Sequence, residues 1–171
     1  MRTLADLHPK AILEIALTND VSAKHVGEGF FGRTNDQPRD NSYSSLNDNV
    51  PILLNWVSEK PEERAPRLAR YVSYFKEDDQ GSLFWSPIAE ELIKLSGVAL
   101  KVLNVFYFRF DIGSGSGLWS DRLFRRRTLL TKLTSHADES VRSWAKEALI
   151  KLDAQVAQYR DLERTRDERF E

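Results

Sequence analysis

Cysteine is missing from this chain, and so is any long apolar run. The absence of thiols excludes disulfides, cysteine nucleophiles and cysteine-ligated zinc or iron–sulfur sites. No segment approaches the run of about 20 apolar residues that a membrane-spanning helix requires. The first ten residues, MRTLADLHPK, also lack the apolar core and the cleavage pattern of a signal peptide. The sequence therefore predicts a soluble, cytoplasmic protein with no membrane contact.

An excess of either charge is missing as well. The 25 lysines and arginines nearly balance the 26 aspartates and glutamates, which leaves a formal net charge of −1. A chain balanced in this way has no global field that would attract nucleic acid or a basic partner. At 171 residues one domain is the expectation, so we predict a single α-helical domain over residues 1–171.

No set of residues in the sequence converges on a catalytic or metal site. The three histidines lie far apart: His8, His25 and His136. The glycines between residues 111 and 117 follow an apolar run, but a dinucleotide fingerprint needs a glycine where Leu118 stands. Adjacent carboxylates such as Glu62 and Glu63 point about 100° apart on a helix and cannot act together. We therefore expect a non-enzyme with no catalytic residue, no metal and no cofactor.

Helical periodicity runs through most of the chain. Apolar side chains recur at spacings of three or four, which is typical of amphipathic helices. The predicted helices cover residues 5–17, 21–31, 50–58, a stretch around 66–75, 86–95, 98–110, 118–133 and 139–164. The stretch 76–81 is interpreted as a solvated turn, and Trp85 as a hydrophobic staple against the helix that Ser86 and Pro87 open.

The composition of residues 98–110, VALKVLNVFYFRF, fits two structures. Its β-branched and aromatic residues favour a strand. Leu100, Leu103, Phe106 and Phe110 also recur at helical spacing. We predict a helix, because every neighbouring segment is helical and a lone strand would have no pairing partner.

Residues 118–162 contain the clearest pattern, two helices on either side of a short polar break. Asp138 stands where an N-cap is expected, and the helix that follows it is predicted to be the longest. An apolar stripe runs along that helix and places Trp144 in the core. The stripe consists of Val141, Trp144, Ala145, Ala148, Leu149, Leu152, Val156, Tyr159 and Leu162.

This helix pair resembles a HEAT-type repeat. The residues that carry the resemblance are Leu130, Leu133, Asp138, Val141, Arg142, Ala145, Ala148, Leu149 and Leu152. The resemblance implies an all-α fold of stacked antiparallel helix pairs, a HEAT-like α-solenoid of about seven or eight helices with a long C-terminal helix. Proteins of this kind mostly bind other macromolecules, and some bacterial immunity proteins are built this way. The resemblance thus implies a protein-binding module, an inhibitor or immunity protein that neutralises a partner such as a toxin by stoichiometric binding.

The long polar loop at residues 32–45 is the first candidate contact region. It is rich in Asn, Asp, Gly, Pro and Ser and cannot fill a core, so it either contacts a partner or is disordered. Loops on rigid scaffolds commonly carry binding residues. The predicted partner-binding residues are Arg33, Asp36, Arg39 and Asp40.

The basic helix around residues 122–132 supports an alternative function, nucleic-acid binding of the kind found in HEAT-like DNA glycosylases. Its predicted contacts are Arg122, Arg125 and Lys132. Arg126 falls inside the apolar side of the same helix, so we predict that it is buried and paired with a carboxylate. Asp111, Asp138 and Glu139 are the candidate partners of Arg126.

Overall fold

The protein is described here by a computed structural model that covers Ala11, Leu13, Glu14, Leu17, residues 49–111 and residues 118–168. Six α-helices have described bounds: α1 Val50–Ser58, α2 Pro61–Ala69, α3 Pro87–Lys94, α4 Ala99–Phe108, α5 Trp119–Leu133 and α6 Glu139–Asp167. Strands β1 Phe75–Glu77 and β2 Leu83–Trp85 form an antiparallel two-stranded sheet. A 3₁₀ turn, Arg109–Asp111, follows α4. Ala11, Leu13 and Glu14 are also helical.

The prediction of an all-α, HEAT-like solenoid of seven or eight helices is wrong, because the described residues form six helices and a β-hairpin. The error lies at residues 66–85. Helix α2 ends at Ala69, and the chain then alternates between the buried Val72 and Tyr74 and the exposed Ser73. That period of two is the pattern of a half-buried strand.

The hairpin turn has a local cause in the sequence. Asp78 Oδ1 accepts hydrogen bonds from the backbone N–H groups of Gln80, at 3.0 Å, and Ser82, at 2.8 Å. Gly81 has a φ of +80°, which side-chain-bearing residues rarely adopt. An aspartate that bonds to the backbone two residues ahead, followed by a left-handed glycine, reverses the chain. The segment interpreted as a solvated turn is therefore the tip of the hairpin.

The chain divides into two compact units, and the prediction of a single domain stays a prediction. Unit 1 comprises Met1–Lys76 and Trp85–Phe106. Unit 2 comprises Glu77–Phe84 and Tyr107–Glu171. None of the described helices is both long and apolar enough to cross a membrane.

Unit 1 has an aromatic cluster at the centre of its core. The ring of Phe106 lies with its centroid 5.7 Å from that of Tyr74 and 5.7 Å from that of Trp85. All three side chains are buried. Helix α4 supplies Phe106, so the prediction of a helix at residues 98–110 is confirmed over Ala99–Phe108. Trp85 belongs to strand β2 and to the core, which corrects its interpretation as a staple before α3.

Unit 2 is built around the pairing of α5 with α6. Helix α6 has 29 residues and is the longest helix described, as predicted. The buried residues Leu123, Leu130 and Leu133 of α5, and Val141, Ala145, Leu152 and Val156 of α6, form its core. Trp144 is intermediate in burial and packs edge-on against Tyr107, with centroids 6.0 Å apart. It lies at the flank of the apolar stripe, and its predicted place among the largely buried residues stays a prediction.

Candidate interaction surface

The turn between α5 and α6 fixes where α6 begins. The Asp138 side chain accepts hydrogen bonds from the backbone N–H of Ser140, at 2.8 Å, and from its hydroxyl, at 2.7 Å. The N-cap predicted from the sequence is thereby confirmed. The pKa of Asp138 is lowered, first by the Ser140 hydroxyl and then by the Ser140 N–H. His136 lies in the same turn, where its Nδ1 accepts from the Asp138 N–H at 3.1 Å.

The start of α5 is capped from the other helix. Leu118 occupies the N-cap position and has no polar side chain. Glu163 of α6 supplies the missing acceptors, since its Oε1 accepts from the N–H of Trp119 at 2.7 Å and of Ser120 at 3.1 Å. Its Oε2 accepts from the Ser120 hydroxyl at 2.5 Å. The first turn of α5 and the last turns of α6 are therefore held together, with the helices antiparallel.

The pKa of Glu163 is lowered by this arrangement. Burial raises the pKa of Glu163 and is the largest single influence, but it is outweighed by the hydrogen bonds from Ser120 and Trp119 and by the charge of Arg160. Because these groups favour the ionised carboxylate, Glu163 stabilises the helix pair more when it is charged than when it is protonated.

Replacement of Glu163 by alanine should lower the free energy of unfolding by about 1 kcal/mol at neutral pH, the usual loss for an N-cap. The loss should be present above the ordinary glutamate pKa of about 4.3 and should fade as the pH falls below it. The reason is that the hydrogen bonds from α5 and the charge of Arg160 favour ionised Glu163. Protonation of the carboxylate removes this contribution to stability. Urea denaturation between pH 3 and pH 7 measures this difference.

Asp161→Ala is the matched control for Glu163→Ala. Asp161 is exposed and lies 3.3 Å from Arg164 within one turn of α6, so its loss should be within about 0.5 kcal/mol. A pH-independent difference for Glu163→Ala, or an equal loss in both variants, would show that Glu163 does not cap α5.

Two large apolar side chains of unit 2 stand in solvent on the same side of the helix pair. Phe124 of α5 is 50% exposed, and Ile150 of α6 is 72% exposed. Residues 150, 153, 157 and 160 recur at helical spacing, so Ile150, Asp153 and Arg160 share one side of α6. We call the surface formed by Phe124, Arg127, Ile150, Asp153 and Arg160 the Phe124 face.

Contacts between the helices hold the Phe124 face in place. The guanidinium of Arg160 lies 5.2 Å from the centroid of the Phe124 ring. Arg127 Nε donates to Asp153 Oδ1 at 2.9 Å. Aromatic side chains and arginine are enriched at protein–protein interfaces, and arginine is among the residues that concentrate binding energy there.

The residues predicted to contact nucleic acid lie on a different side of α5. Arg125 pairs with Glu77 Oε1 at 2.7 Å and donates to the Gly81 carbonyl at 2.6 Å. Lys132 lies 6.0 Å from the Phe84 ring centroid, and the Arg122 guanidinium lies 4.0 Å from the Trp119 ring centroid. Arg125 therefore contacts the hairpin tip and Lys132 lies beside strand β2, so the two do not form an unopposed basic ridge.

Arg126 is buried as predicted, with 6% of its surface exposed. Its guanidinium lies 5.7 Å from the centroid of the Phe110 ring. A carboxylate partner for Arg126 stays a prediction.

The four loop residues predicted to bind a partner lie outside the described part of the chain: Arg33, Asp36, Arg39 and Asp40. The glycine-rich stretch at residues 112–117 and the histidines His8 and His25 lie outside it as well. Within residues 49–111 and 118–168 no cluster of His, Asp or Glu side chains is arranged to hold a metal ion.

Sequence reasoning missed the Phe124 face and the buried Arg64. Helical spacing places Phe124 away from Leu123 and Leu130, on the solvent side of α5, and this position is the signal in the sequence. The contact between Phe124 and Arg160 joins two helices and has no signal in either one alone.

Comparisons of the whole chain with protein families, with curated proteins and with solved structures find no match.

Proposed function

We propose that this protein is a non-catalytic protein-binding module that acts by stoichiometric binding to another protein through the Phe124 face. The observation that carries the proposal is the exposure of Phe124 and Ile150, 50% and 72%, on one side of a helix pair. Most of the buried apolar residues of α5 and α6 already fill the core between them. A large apolar side chain that is held in solvent beside an arginine gains free energy when a partner covers it.

The narrower form of the proposal is a cytoplasmic inhibitor or immunity protein that neutralises a partner such as a toxin. It is supported by the resemblance of the α5–α6 pair to a single HEAT-like repeat. Six of the seven aliphatic residues that carry the resemblance are buried, and Leu149 is half-buried. The buried ones are Leu130, Leu133, Val141, Ala145, Ala148 and Leu152. Occlusion of the partner's active site is sufficient for inhibition, so no catalytic group is needed in this chain.

The double variant Phe124→Ser/Ile150→Ser should weaken binding to the partner about 100-fold or more, because two interface anchors are lost together. Its thermal stability should stay nearly unchanged, since both side chains are exposed in the folded protein. The partner is first isolated from the native host by affinity capture and identified by mass spectrometry. Calorimetry with the purified partner then measures the dissociation constant and the stoichiometry, for which we expect one to one.

Phe108→Ser is the matched control, because Phe108 is 73% exposed and lies outside the Phe124 face. It should leave the affinity unchanged. The double variant could keep its affinity while alanine replacement of the four predicted loop residues weakens binding. That result would assign the contact to the loop, at Arg33, Asp36, Arg39 and Asp40. Strongly salt-dependent DNA binding that requires Arg122, Arg125 and Lys132 would favour the alternative function. Substrate turnover by the purified chain would contradict both.

A further inference from the structure

Arg160 is an exposed arginine whose guanidinium lies over the ring of Phe124. Its guanidinium lies 5.2 Å from the centroid of the Phe124 ring, and both side chains are exposed. A guanidinium that lies over an aromatic ring keeps its N–H donors in its own plane, where they remain available to an acceptor. The contact with Phe124 therefore leaves the donors of Arg160 available to a ligand.

The carboxylates closest to Arg160 along α6 are engaged elsewhere. Asp153 binds Arg127 at 2.9 Å, and Asp161 lies 3.3 Å from Arg164. Glu163 uses both oxygens on the first turn of α5, although the charge of Arg160 still contributes to lowering its pKa. Asp121 lines the same shallow depression as Arg160. Over the described residues no ion pair or hydrogen bond joins Arg160 to a carboxylate.

We propose that Phe124 and Arg160 together bind a carboxylate side chain on an acidic amphipathic helix of the partner protein, an inference that rests on the proposed function. A carboxylate carries the charge complementary to that of Arg160, and a planar guanidinium donates two parallel hydrogen bonds to it. The ring of Phe124 supplies an apolar surface beside this ion pair, and Ile150 supplies a second one.

The distance between the two apolar side chains, Phe124 and Ile150, favours a helical partner. Arg160, which contacts Phe124, follows Ile150 by ten residues, a distance of about 15 Å along the axis of α6. Three turns of a second helix cover about 16 Å, so two of its apolar side chains eleven residues apart reach both positions. The groove between two packed helices accommodates the ridge of a third one. An aspartate or glutamate one turn from the apolar residue over Phe124 then lies beside Arg160.

The test uses a synthetic helical peptide as its probe, with two leucines eleven residues apart and a glutamate one turn from the first. A second peptide has glutamine in place of the glutamate. Titration of the full-length protein, followed by NMR, should shift the resonances of Phe124, Ile150 and the Arg160 side chain. The glutamate peptide should bind about tenfold more tightly than the glutamine peptide, as expected for a charge-assisted contact.

Arg160→Gln should remove the difference between the two peptides while leaving the weaker, apolar binding in place. Arg164→Gln is the matched control, because Arg164 is already paired within α6, and it should preserve the difference. Equal binding of both peptides to the wild-type protein, binding of neither, or shifts confined to another surface would overturn the inference.

Two further outcomes would also overturn the inference, because each would identify a different ligand for the Phe124 face. Self-association of the wild-type protein that Phe124→Ser abolishes would assign the face to a second copy of the chain. Displacement of the glutamate peptide by a DNA oligonucleotide would assign it to nucleic acid. If the natural partner is lost from Phe124→Ser/Ile150→Ser but binds Arg160→Gln normally, the protein-binding function stands and only the carboxylate site fails.

Discussion

Trp85→Ala should lower the free energy of unfolding by about 3–5 kcal/mol, the usual loss for a large aromatic side chain removed from a core. Trp85 is 4% exposed. Its ring lies with its centroid 5.7 Å from that of Phe106 and 6.3 Å from that of Tyr74. Removal of the indole therefore leaves a cavity beside Tyr74 and Phe106, which stack on each other with centroids 5.7 Å apart. Urea denaturation followed by circular dichroism measures the loss.

Trp144→Ala provides the comparison, because it makes the same chemical change at a half-buried position. Its loss should be smaller, about 1–2 kcal/mol, since less apolar surface returns to water. The reverse order of the two losses would show that Trp144, and not Trp85, belongs to the core. A loss below about 1 kcal/mol for Trp85→Ala would remove this residue from the core altogether.

The helices that sequence reasoning placed correctly are those with local start and stop signals. Helix α1 has Pro51 in its first turn and spans Val50–Ser58, as predicted. Helix α3 begins after Ser86, whose side chain accepts from the Ala89 N–H at 3.3 Å. Helix α6 begins after Asp138 in the same way. Each signal acts within one turn of the helix it starts, so it can be recognised without knowledge of the tertiary structure.

The hairpin could not be identified in this way, because its signal is shared with a helix. Leu68, Tyr71, Val72 and Phe75 recur at spacings of three and four, yet Val72 and Tyr74 also alternate with exposed residues. Pairing with a distant segment decides between a helix and a strand. Ser86 donates from its hydroxyl to the Ser73 carbonyl at 2.5 Å and from its N–H to the Tyr74 carbonyl at 3.0 Å. Strands of three residues are too short to show an unambiguous period.

In the candidate site too, local features could be predicted from the sequence and contacts between helices could not. The burial of Arg126 was predictable, because helical spacing alone places it on the core side of α5. The contact between Phe124 and Arg160 was not predictable, since it forms only when α5 and α6 pack in one particular register. That register is set partly by Glu163 at the start of α5, a contact between distant residues.

Arg64→Ala should lower the free energy of unfolding by about 3 kcal/mol, at the upper end of the range for hydrogen bonds to charged groups, because its donors serve two carboxylates and a carbonyl. Arg64 is 7% exposed. Its Nη1 donates to the Trp56 carbonyl at 2.6 Å and to Glu59 Oε2 at 2.7 Å. Its Nη2 donates to Glu14, which also accepts from the Trp56 indole N–H at 3.0 Å. The loss should appear in urea denaturation of the full chain.

Arg67→Ala is the control on the same helix, because Arg67 pairs with a single exposed carboxylate one turn away, Glu63, at 2.9 Å. Its loss should lie within about 0.5 kcal/mol. Equal losses for Arg64→Ala and Arg67→Ala would show that Arg64 does not connect the elements around it.

Arg64→Lys separates the charge of this residue from its geometry. The guanidinium of Arg64 reaches a carbonyl and two carboxylates at once and lies 4.7 Å from the centroid of the Trp56 ring. A lysine keeps the charge but offers one compact ammonium group in place of a planar fork, so it cannot reach all three acceptors. We therefore expect Arg64→Lys to lose about half as much stability as Arg64→Ala, roughly 1–2 kcal/mol. Wild-type stability in Arg64→Lys would mean that positive charge alone is required at this position, and the fork of hydrogen bonds would then have no part in holding Glu14, Trp56 and Glu59 together.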